Sequence, residues 1–337
     1  MQSVRVGLVG YGLAGSTFHA PLIGATARME LTAVLTSREA PHRVASLDQL
    51  INSSDLVVVA TPNITHYRIA KQALEAGKHV VVDKPFTVAL DEADELIDLA
   101  VEQQRVLSVF HNRRWDADFL TLRDILPRLG DVMLFEANWD RFRPQIKQGW
   151  REKTEAGGGL LNDLGPHLVD QALELFDMPD AISGEVLAQR EGALVDDYFD
   201  LTLHYGRLRV ILRSSTLVAA PRPRFAVHGI EGSFIKHGLD SQETQLKAGL
   251  DPRDPAFGLD SRDGVLTHAG GQSETLPTRR GNYLAFYDGV AAAILDGAPV
   301  PVAPQAARDG LMIIDLARRA SAEGRRLEVP AASLTAD

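Results

Sequence analysis

Three short stretches put reactive or ligand-cradling residue types at spacings that chemistry can use. Gly10-Tyr11-Gly12-Leu13-Ala14-Gly15 is a GxGxxG pattern directly after an apolar run, Val4 to Val9. Glycines so placed permit a tight turn and let the backbone approach a pyrophosphate, which then sits on a helix N-terminus. Alone the pattern also fits a plain tight turn; between a strand and a helix it predicts a dinucleotide site. Asp83-Lys84-Pro85 ends a second apolar run, His79 to Val82. In an open α/β sheet the carboxyl ends of strands face the ligand crevice, so Lys84 is placed to polarise a carbonyl or stabilise an alkoxide. The bland reading is a solvated loop lysine. The third stretch runs Gly157-Gly158-Gly159-Leu160-Leu161-Asn162-Asp163-Leu164-Gly165-Pro166-His167. Asp163 and His167 are four residues apart and share one face if the helix has begun there. A histidine suits a general base that takes a hydroxyl proton, with Asp163 orienting it or bonding the hydroxyl. The same pair also fits a helix cap beside a satisfied polar residue.

The end of the second strand bears on which dinucleotide fits. An acid there would bond a ribose 2′-hydroxyl and repel a 2′-phosphate. This strand ends Thr36-Ser37-Arg38, with His42 and Arg43 close behind. Ser37 and Arg38 favour NADP over NAD, because a guanidinium can hold a 2′-phosphate bidentately. Glu39 follows at once and argues the other way.

These groups need elements to hold them. Val4 to Val9, Leu31 to Leu35, Leu56 to Ala60, His79 to Val82 and Leu107 to Phe110 read as short buried strands. Helical patterns at Tyr67 to Ala76 and Asp91 to Gln104 alternate with the later ones; in the second, Ala93, Leu96, Ile97, Ala100 and Val101 form one apolar stripe. Such alternation predicts a doubly wound parallel sheet over residues 1–115, a Rossmann-type NAD(P)-binding domain. From 116 to 337 helices near Phe119 to Arg128 and Asp163 to Phe176 precede strands at Ala181 to Ala188, Tyr198 to Tyr205, Leu208 to Ser214, Ala226 to His228 and Gly232 to His237. Helices at Tyr283 to Leu295 and Gln305 to Ala322 end the chain. Successive strands predict an α+β domain with a largely antiparallel sheet. Residues 249–280, rich in Gly, Asp, Pro and Arg, read as a long loop.

Composition narrows the function classes. The 337 residues suit two domains, and 45 acidic against 35 basic side chains give a net charge of −10. Nucleic acid and anionic membrane are therefore not expected as partners. With no cysteine, disulfides, thiolate metal sites and cysteine nucleophiles are excluded. No HExxH or similar spacing predicts a metal site, and no apolar run approaches the ~18 residues of a membrane span. A cytoplasmic location is the default expectation.

Taken together, the three motifs resemble the Gfo/Idh/MocA family of NAD(P)-dependent oxidoreductases, in order and over nearly the whole chain. Asp83-Lys84-Pro85-Phe86-Thr87, Val109-Phe110-His111-Asn112-Arg113-Arg114-Trp115-Asp116 and Asp140-Arg141-Phe142-Arg143-Pro144 look like a bacterial subgroup that includes NADP-dependent scyllo-inositol dehydrogenases. The resemblance implies that Lys84, Asp163 and His167 are the catalytic trio, with His167 the proton acceptor. It places Asp83, Thr61, Pro62, Asn63 and His66 along the cofactor, and Asn112, Arg113, Trp150 and Arg151 near nicotinamide and substrate. Arg143 and Tyr283 are further candidates for a polyol pocket. It implies a homodimer or homotetramer through the C-terminal sheet. Arg38 and Leu50 are only about a dozen residues apart, where the family has a helix and a further short strand. The segment that holds the adenosine ribose is therefore expected to be short. His19, in Phe18-His19-Ala20-Pro21, belongs to the subgroup's pattern without a physical role legible in the sequence. The activity implied is hydride transfer at a secondary hydroxyl or ketone of a cyclic polyol or sugar, scyllo-inositol with NADP foremost. Other sugar or anhydro-ketose oxidoreductases, and a non-catalytic NAD(P)-bound sensor, are the alternatives.

Overall fold

The computed structural model describes residues 2–146, 152 and 158–330. In chain order, the first part holds β1 (Val4–Val9), a π-helical turn (Gly15–His19) running into α1 (Ala20–Ala25), β2 (Met29–Leu35), β3 (Arg43–Val44), α2 (Leu47–Ser53), β4 (Leu56–Val59), α3 (His66–Glu75), β5 (His79–Val82), α4 (Leu90–Glu102) and β6 (Leu107–Val109). Next come α5 (Ala117–Ile125), β7 (Val132–Asn138), α6 (Leu160–Phe176), β8 (Ala181–Leu187), β9 (Tyr198–Tyr205), β10 (Leu208–Ser215), β11 (Phe225–Gly229) and β12 (Gly232–Lys236). The chain continues through α7 (Gln242–Lys247), β13 (Gly264–His268), β14 (Ser273–Leu276), α8 (Leu284–Asp296), α9 (Pro304–Glu323) and β15 (Leu327–Glu328).

The chain folds into two compact units. The first comprises Met1–Asp124, Leu239–Asp263 and Pro277–Leu311; the second comprises Ile125–Gly238, Gly264–Leu276 and Met312–Asp337. This division differs from a single boundary at 115/116, for a reason visible in the first sheet. Its strands run in the order β3-β2-β1-β4-β5-β6, all parallel, and bury both faces. Val57 and Val59 pack with Ile69, Leu74 and Leu96 on one side. Leu56 and Val58 pack on the other with Leu22, Ile23, Phe286, Tyr287 and Val290. On that second side the β1–β2 connection supplies only the six-residue α1. The cover is completed by α8, nearly 290 residues along the chain. Each fully buried aliphatic side chain contributes about 1.5–3 kcal/mol, so an uncovered face is not tolerated.

Local signals match their elements. Ser46 caps α2 by accepting from Gln49 N at 3.2 Å, while Gln49 Oε1 accepts from Ala45 N at 3.1 Å, a reciprocal capping box. Gly77 ends α3 in the left-handed region at φ +71°. In α4, Ala93, Leu96 and Ala100 are buried, but Val101 is 71% exposed and falls outside the predicted stripe. The segment between β2 and β4 has no helix before the short β3, which is present and pairs with β2.

The second unit is a nine-stranded sheet in the order β14-β13-β12-β11-β7-β10-β9-β8-β15, antiparallel except for the parallel β7–β10 pair. Packed on β9 and β10, α6 covers the alternating Phe199, Leu201, Leu203, Val210 and Leu212. The 249–280 region is not a continuous loop: β13 and β14 lie inside it, with β14 the edge strand of the sheet. Both are short and polar-rich, and pairing decides them rather than their own pattern, β13 with β12 and β14 with β13. The six-residue α7 was likewise too short to show periodicity.

The start of α6 is fixed from across the chain. Leu160 N donates to the Asp196 backbone oxygen at 2.8 Å and Leu161 N to Asp196 Oδ2 at 2.6 Å. Arg318 reaches both Asp196 Oδ1 and Asn162 Oδ1, at 3.2 and 2.9 Å. Asp196→Ala should therefore cost about 1–2 kcal/mol. By hydrogen exchange, protection should fall at the Leu161 amide more than at Leu160, whose acceptor is backbone; equal loss at both would contradict this account.

Candidate active site

Register alone brings the first unit's candidate residues to one edge. Leu35, Val9, Val59, Val82 and Val109 pair in a single row across five strands. The ladder runs one step further, with Gly10 N on Leu35 O, Ala60 N on Val9 O, Asp83 N on Val59 O and Phe110 N on Val82 O, all at 2.8–3.0 Å. The residues that follow therefore share the carboxyl edge: Gly10 to Gly15, Ser37 and Arg38, Thr61 to Asn63, Asp83 and Lys84, and Asn112. The strand order reverses between β1 and β4, the usual place for a ligand in such a sheet.

The three glycines do different things. A Cβ on Gly10, at φ +99°, would lie 2.4 Å from Ala60 O, and one on Gly15 would lie 2.1 Å from Gly10 O. A Cβ on Gly12 would meet nothing within 4 Å. Gly10 and Gly15 thus allow the chain to pack on itself, while Gly12 keeps open the face that a pyrophosphate would approach. Leu13 beside it is 51% exposed. At the end of β2, Ser37 and Arg38 are exposed, and no ion pair to the Arg38 side chain is seen among the described residues. These features fit a dinucleotide.

Lys84 follows Asp83, whose Oδ1 accepts the Lys84 backbone N–H at 2.8 Å; the Lys84–Pro85 bond is cis. His66 is buried rather than lying open along the edge. Its Nδ1 is 2.9 Å from Pro85 O and its Nε2 is 2.9 Å from Thr61 O, so it ties two edge loops together. Asn112 is also buried.

Arg113 and Tyr283 are placed differently from the pocket-lining expectation: both are buried in one ionic network within the first unit. Arg113 donates to Tyr283 OH at 2.6 Å, to Asp116 Oδ1 at 3.4 Å and to Glu243, and Tyr283 OH donates to Asp116 Oδ1 at 2.6 Å. Asp240 anchors the neighbouring turn, accepting from Ala117 N and Gln242 N at 2.7 Å each. Burial and nearby Asp118 push the Asp240 carboxyl up to about 6. Glu243 goes the other way: burial would raise it, but Arg113 and Lys247 outweigh burial and hold it at about 2.

In the second unit, Asp163 and His167 both lie within α6, one turn apart on one face. Asp163 Oδ2 is 3.5 Å from Arg141 Nη1. His167 is buried and stacks on Trp139 with centroids 5.9 Å apart and planes 26° apart. One turn on, Gln171 accepts from Arg224 at 2.5 Å, and Arg224 lies over the other neighbour, the Trp139 ring, at 5.3 Å. Trp139 follows β7 and was not legible as a site residue. Asp163 lines a small cleft of about 70 Å³, open to solvent, with Arg141, Arg143, Arg190, Asp197 and Thr216 beside the apolar Leu160 and Val195. Arg190 is committed to Asp197 and Glu152, each at 2.8 Å, whereas the Arg143 side chain is exposed. Trp150, Arg151 and Gly157 lie outside the described residues. Among the described residues no three His, Asp or Glu side chains cluster as a metal site. No described helix is long and apolar enough to cross a membrane.

Two measurements test this geometry. Gly12→Ala should leave the melting temperature within about 2 °C of wild type yet weaken NADPH binding, read by nicotinamide fluorescence, about tenfold or more. Gly15→Ala should instead lower the melting temperature, because its Cβ meets backbone. Glu243 ionises more readily folded than unfolded, so its contribution is complete above pH 4.5 and is lost as pH falls toward about 2. Glu243→Gln should thus be about 2–3 kcal/mol less stable at pH 6, with the gap narrowing as pH falls from 4.5 toward about 2 in denaturant melts. A gap independent of pH would refute the assigned ion pair.

Comparison with known proteins agrees with the two-part architecture. Residues 4–111 match the oxidoreductase-family NAD-binding Rossmann fold, and residues 126–329 match the same family's C-terminal alpha/beta domain. An uncharacterised oxidoreductase of Escherichia coli, YdgJ, is 47% identical over 94% of this chain and 95% of its own. A Bacillus subtilis protein, scyllo-inositol 2-dehydrogenase (NADP(+)) IolW, is 39% identical over 97% and 96%. The solved structure of a Yersinia pestis protein superposes with a TM-score of 0.94 at 45% identity, covering 98% of each chain. The chain belongs to the Gfo/Idh/MocA family of oxidoreductases.

Proposed function

We propose that this oxidoreductase is an NADP(H)-preferring dehydrogenase acting on the secondary hydroxyl of a cyclic polyol or sugar, with scyllo-inositol the leading substrate. The observation that carries the proposal is Asp163 in a cleft where several charged side chains and Thr216 converge, with His167 one helical turn away. Such a lining suits a ligand that is hydroxyl on every side. The name of the B. subtilis relative supports both substrate and cofactor. NADP is further supported by the absence of an acid at the end of β2 and by exposed Ser37 and Arg38.

The bound nicotinamide supplies the acceptor for hydride. His167 takes the hydroxyl proton, and its stacking on Trp139 fixes the ring plane. Asp163, steadied by Arg141, accepts from a substrate hydroxyl. The Lys84 ammonium stabilises the alkoxide as charge develops, which is worth about 10²–10³ in rate for one well-placed donor. Arg143, exposed in the cleft, binds a further hydroxyl. In the reverse direction the same residues reduce an inosose or ketose. Another sugar or an anhydro-ketose as substrate keeps these roles. A sensor without turnover is disfavoured because Lys84, Asp163 and His167 are all intact. We place the protein in the cytoplasm, acting on a small molecule and not on nucleic acid or membrane. We also propose a homodimer or homotetramer through the second unit's sheet, supported by the paired, partly exposed Ile235 and Val265.

Nicotinamide absorbance with NADP⁺ and NAD⁺ in parallel, against scyllo-inositol, myo-inositol, glucose and xylose, tests the assignment. Inositol turnover with NADP⁺ is expected, and Lys84→Ala should lower kcat at least about 100-fold. Cofactor binding without oxidation of any polyol would sink it.

A further inference from the structure

His19, in the first unit, is fully buried and takes no part in the chemistry above. Its surroundings are specific. Nδ1 lies 2.6 Å from Tyr287 OH, Nε2 lies 3.8 Å from Asp83 Oδ2, and the ring packs at 4.4 Å on Phe110. Tyr287 is also fully buried, and its hydroxyl faces only His19 among the described residues. Burial, then Asp83, keeps its phenol protonated by raising it well above the ordinary range. Burial would also raise the Asp83 carboxyl, but His19, Lys84 and His66 outweigh it and leave Asp83 lowered.

One arrangement of protons suits these groups best, with the 3.8 Å between Nε2 and Asp83 Oδ2 too long for a direct hydrogen bond and bridged by electrostatic attraction alone. The Tyr287 hydroxyl donates to Nδ1, which leaves the proton on Nε2 pointing at the Asp83 carboxylate. Asp83 Oδ1 in turn accepts the backbone N–H of Lys84 at 2.8 Å. The other tautomer would strand the buried phenol proton, costing it its partner, and would set the Nε2 lone pair against a carboxylate, replacing an attraction with a repulsion. We propose that His19 is a positioning residue: held in its Nε2–H form by Tyr287, it orients Asp83 and through Asp83 fixes the backbone from which Lys84 reaches the substrate. With His66 bonded to Pro85 O on the far side, two buried histidines bracket the Asp83-Lys84-Pro85 turn.

The inference rests on the reading of Lys84 as catalytic, and its tests separate the two. His19→Phe keeps the ring packing on Phe110 and removes both nitrogens. It should lower kcat about 10- to 100-fold, as expected for a reacting group displaced by a fraction of an ångström, with the NADPH dissociation constant within about threefold of wild type. His19→Gln, whose amide N–H reaches where Nε2 was, should restore most of that loss. Wild-type kcat in His19→Phe, or no recovery in His19→Gln, would overturn the proposal. A turnover-independent measurement is ¹⁵N NMR of the histidine rings, which should show His19 protonated at Nε2 and bare at Nδ1, with that preference reduced in Tyr287→Phe. A proton on Nδ1 in the wild type would overturn the proposal whatever the substrate. The expected tautomer in a protein that oxidises no polyol would instead leave the positioning geometry standing and remove the substrate assignment.

Discussion

The constraint on which the rest depends is the in-register parallel hydrogen bonding of β2, β1, β4, β5 and β6. Because Val9, Leu35, Val59, Val82 and Val109 form one row, chain exits spread from Val9 to Val109 in sequence emerge side by side. A strand slipped by one residue would turn its side chains to the opposite face. Val57 and Val59 would then meet the side that Leu56 and Val58 occupy, and the carboxyl edge would lose its alignment. Burial on both faces makes that slip costly, so the hydrophobic core sets the geometry of the polar edge.

At that edge, buried polar groups do the holding. Ion pairs taken out of water cost several kcal/mol in desolvation and break roughly even against apolar packing. The Arg113 network is therefore better understood as a device for conformational uniqueness than as a source of stability. It joins the turn after β6 to α7 and to the start of α8 through one guanidinium and one phenol. The His66 ties do the same for the loops after β4 and β5. Such groups accept one arrangement of donors and acceptors and reject near alternatives.

What was legible in the sequence follows from this division. The strands β1, β4, β5 and β6 announce themselves as apolar runs, and Gly10 to Gly15 and Gly77 mark turns that only glycine makes easily. The α6 helix could be read because Asp163 and His167 sit at its spacing. Pairing-dependent features were not legible: β13 owes its existence to β12, β14 to β13, and α7 to the network around Gln242. Arg113 and Tyr283, 170 residues apart, carry no local sign of being partners. Trp139 stacking on His167, and Tyr287 facing His19, are likewise products of tertiary structure. The motifs named the chemistry, while the groups that orient it lay elsewhere in the chain.

The cover that α8 gives the first sheet has a consequence for how the protein is made. During synthesis the six parallel strands leave the ribosome long before Phe286, Tyr287 and Val290 exist. Until nearly three hundred residues have been translated, Leu56 and Val58 lack part of their packing, and so do Val6 and Leu8. The nascent chain must carry that apolar surface while Ile125–Gly238 and Gly264–Leu276 of the second unit are made, the interval in which parallel sheets are most exposed to aggregation. A chain ended after the dinucleotide-binding segment would keep the glycine turn and all six strands, yet would remain a client of chaperones.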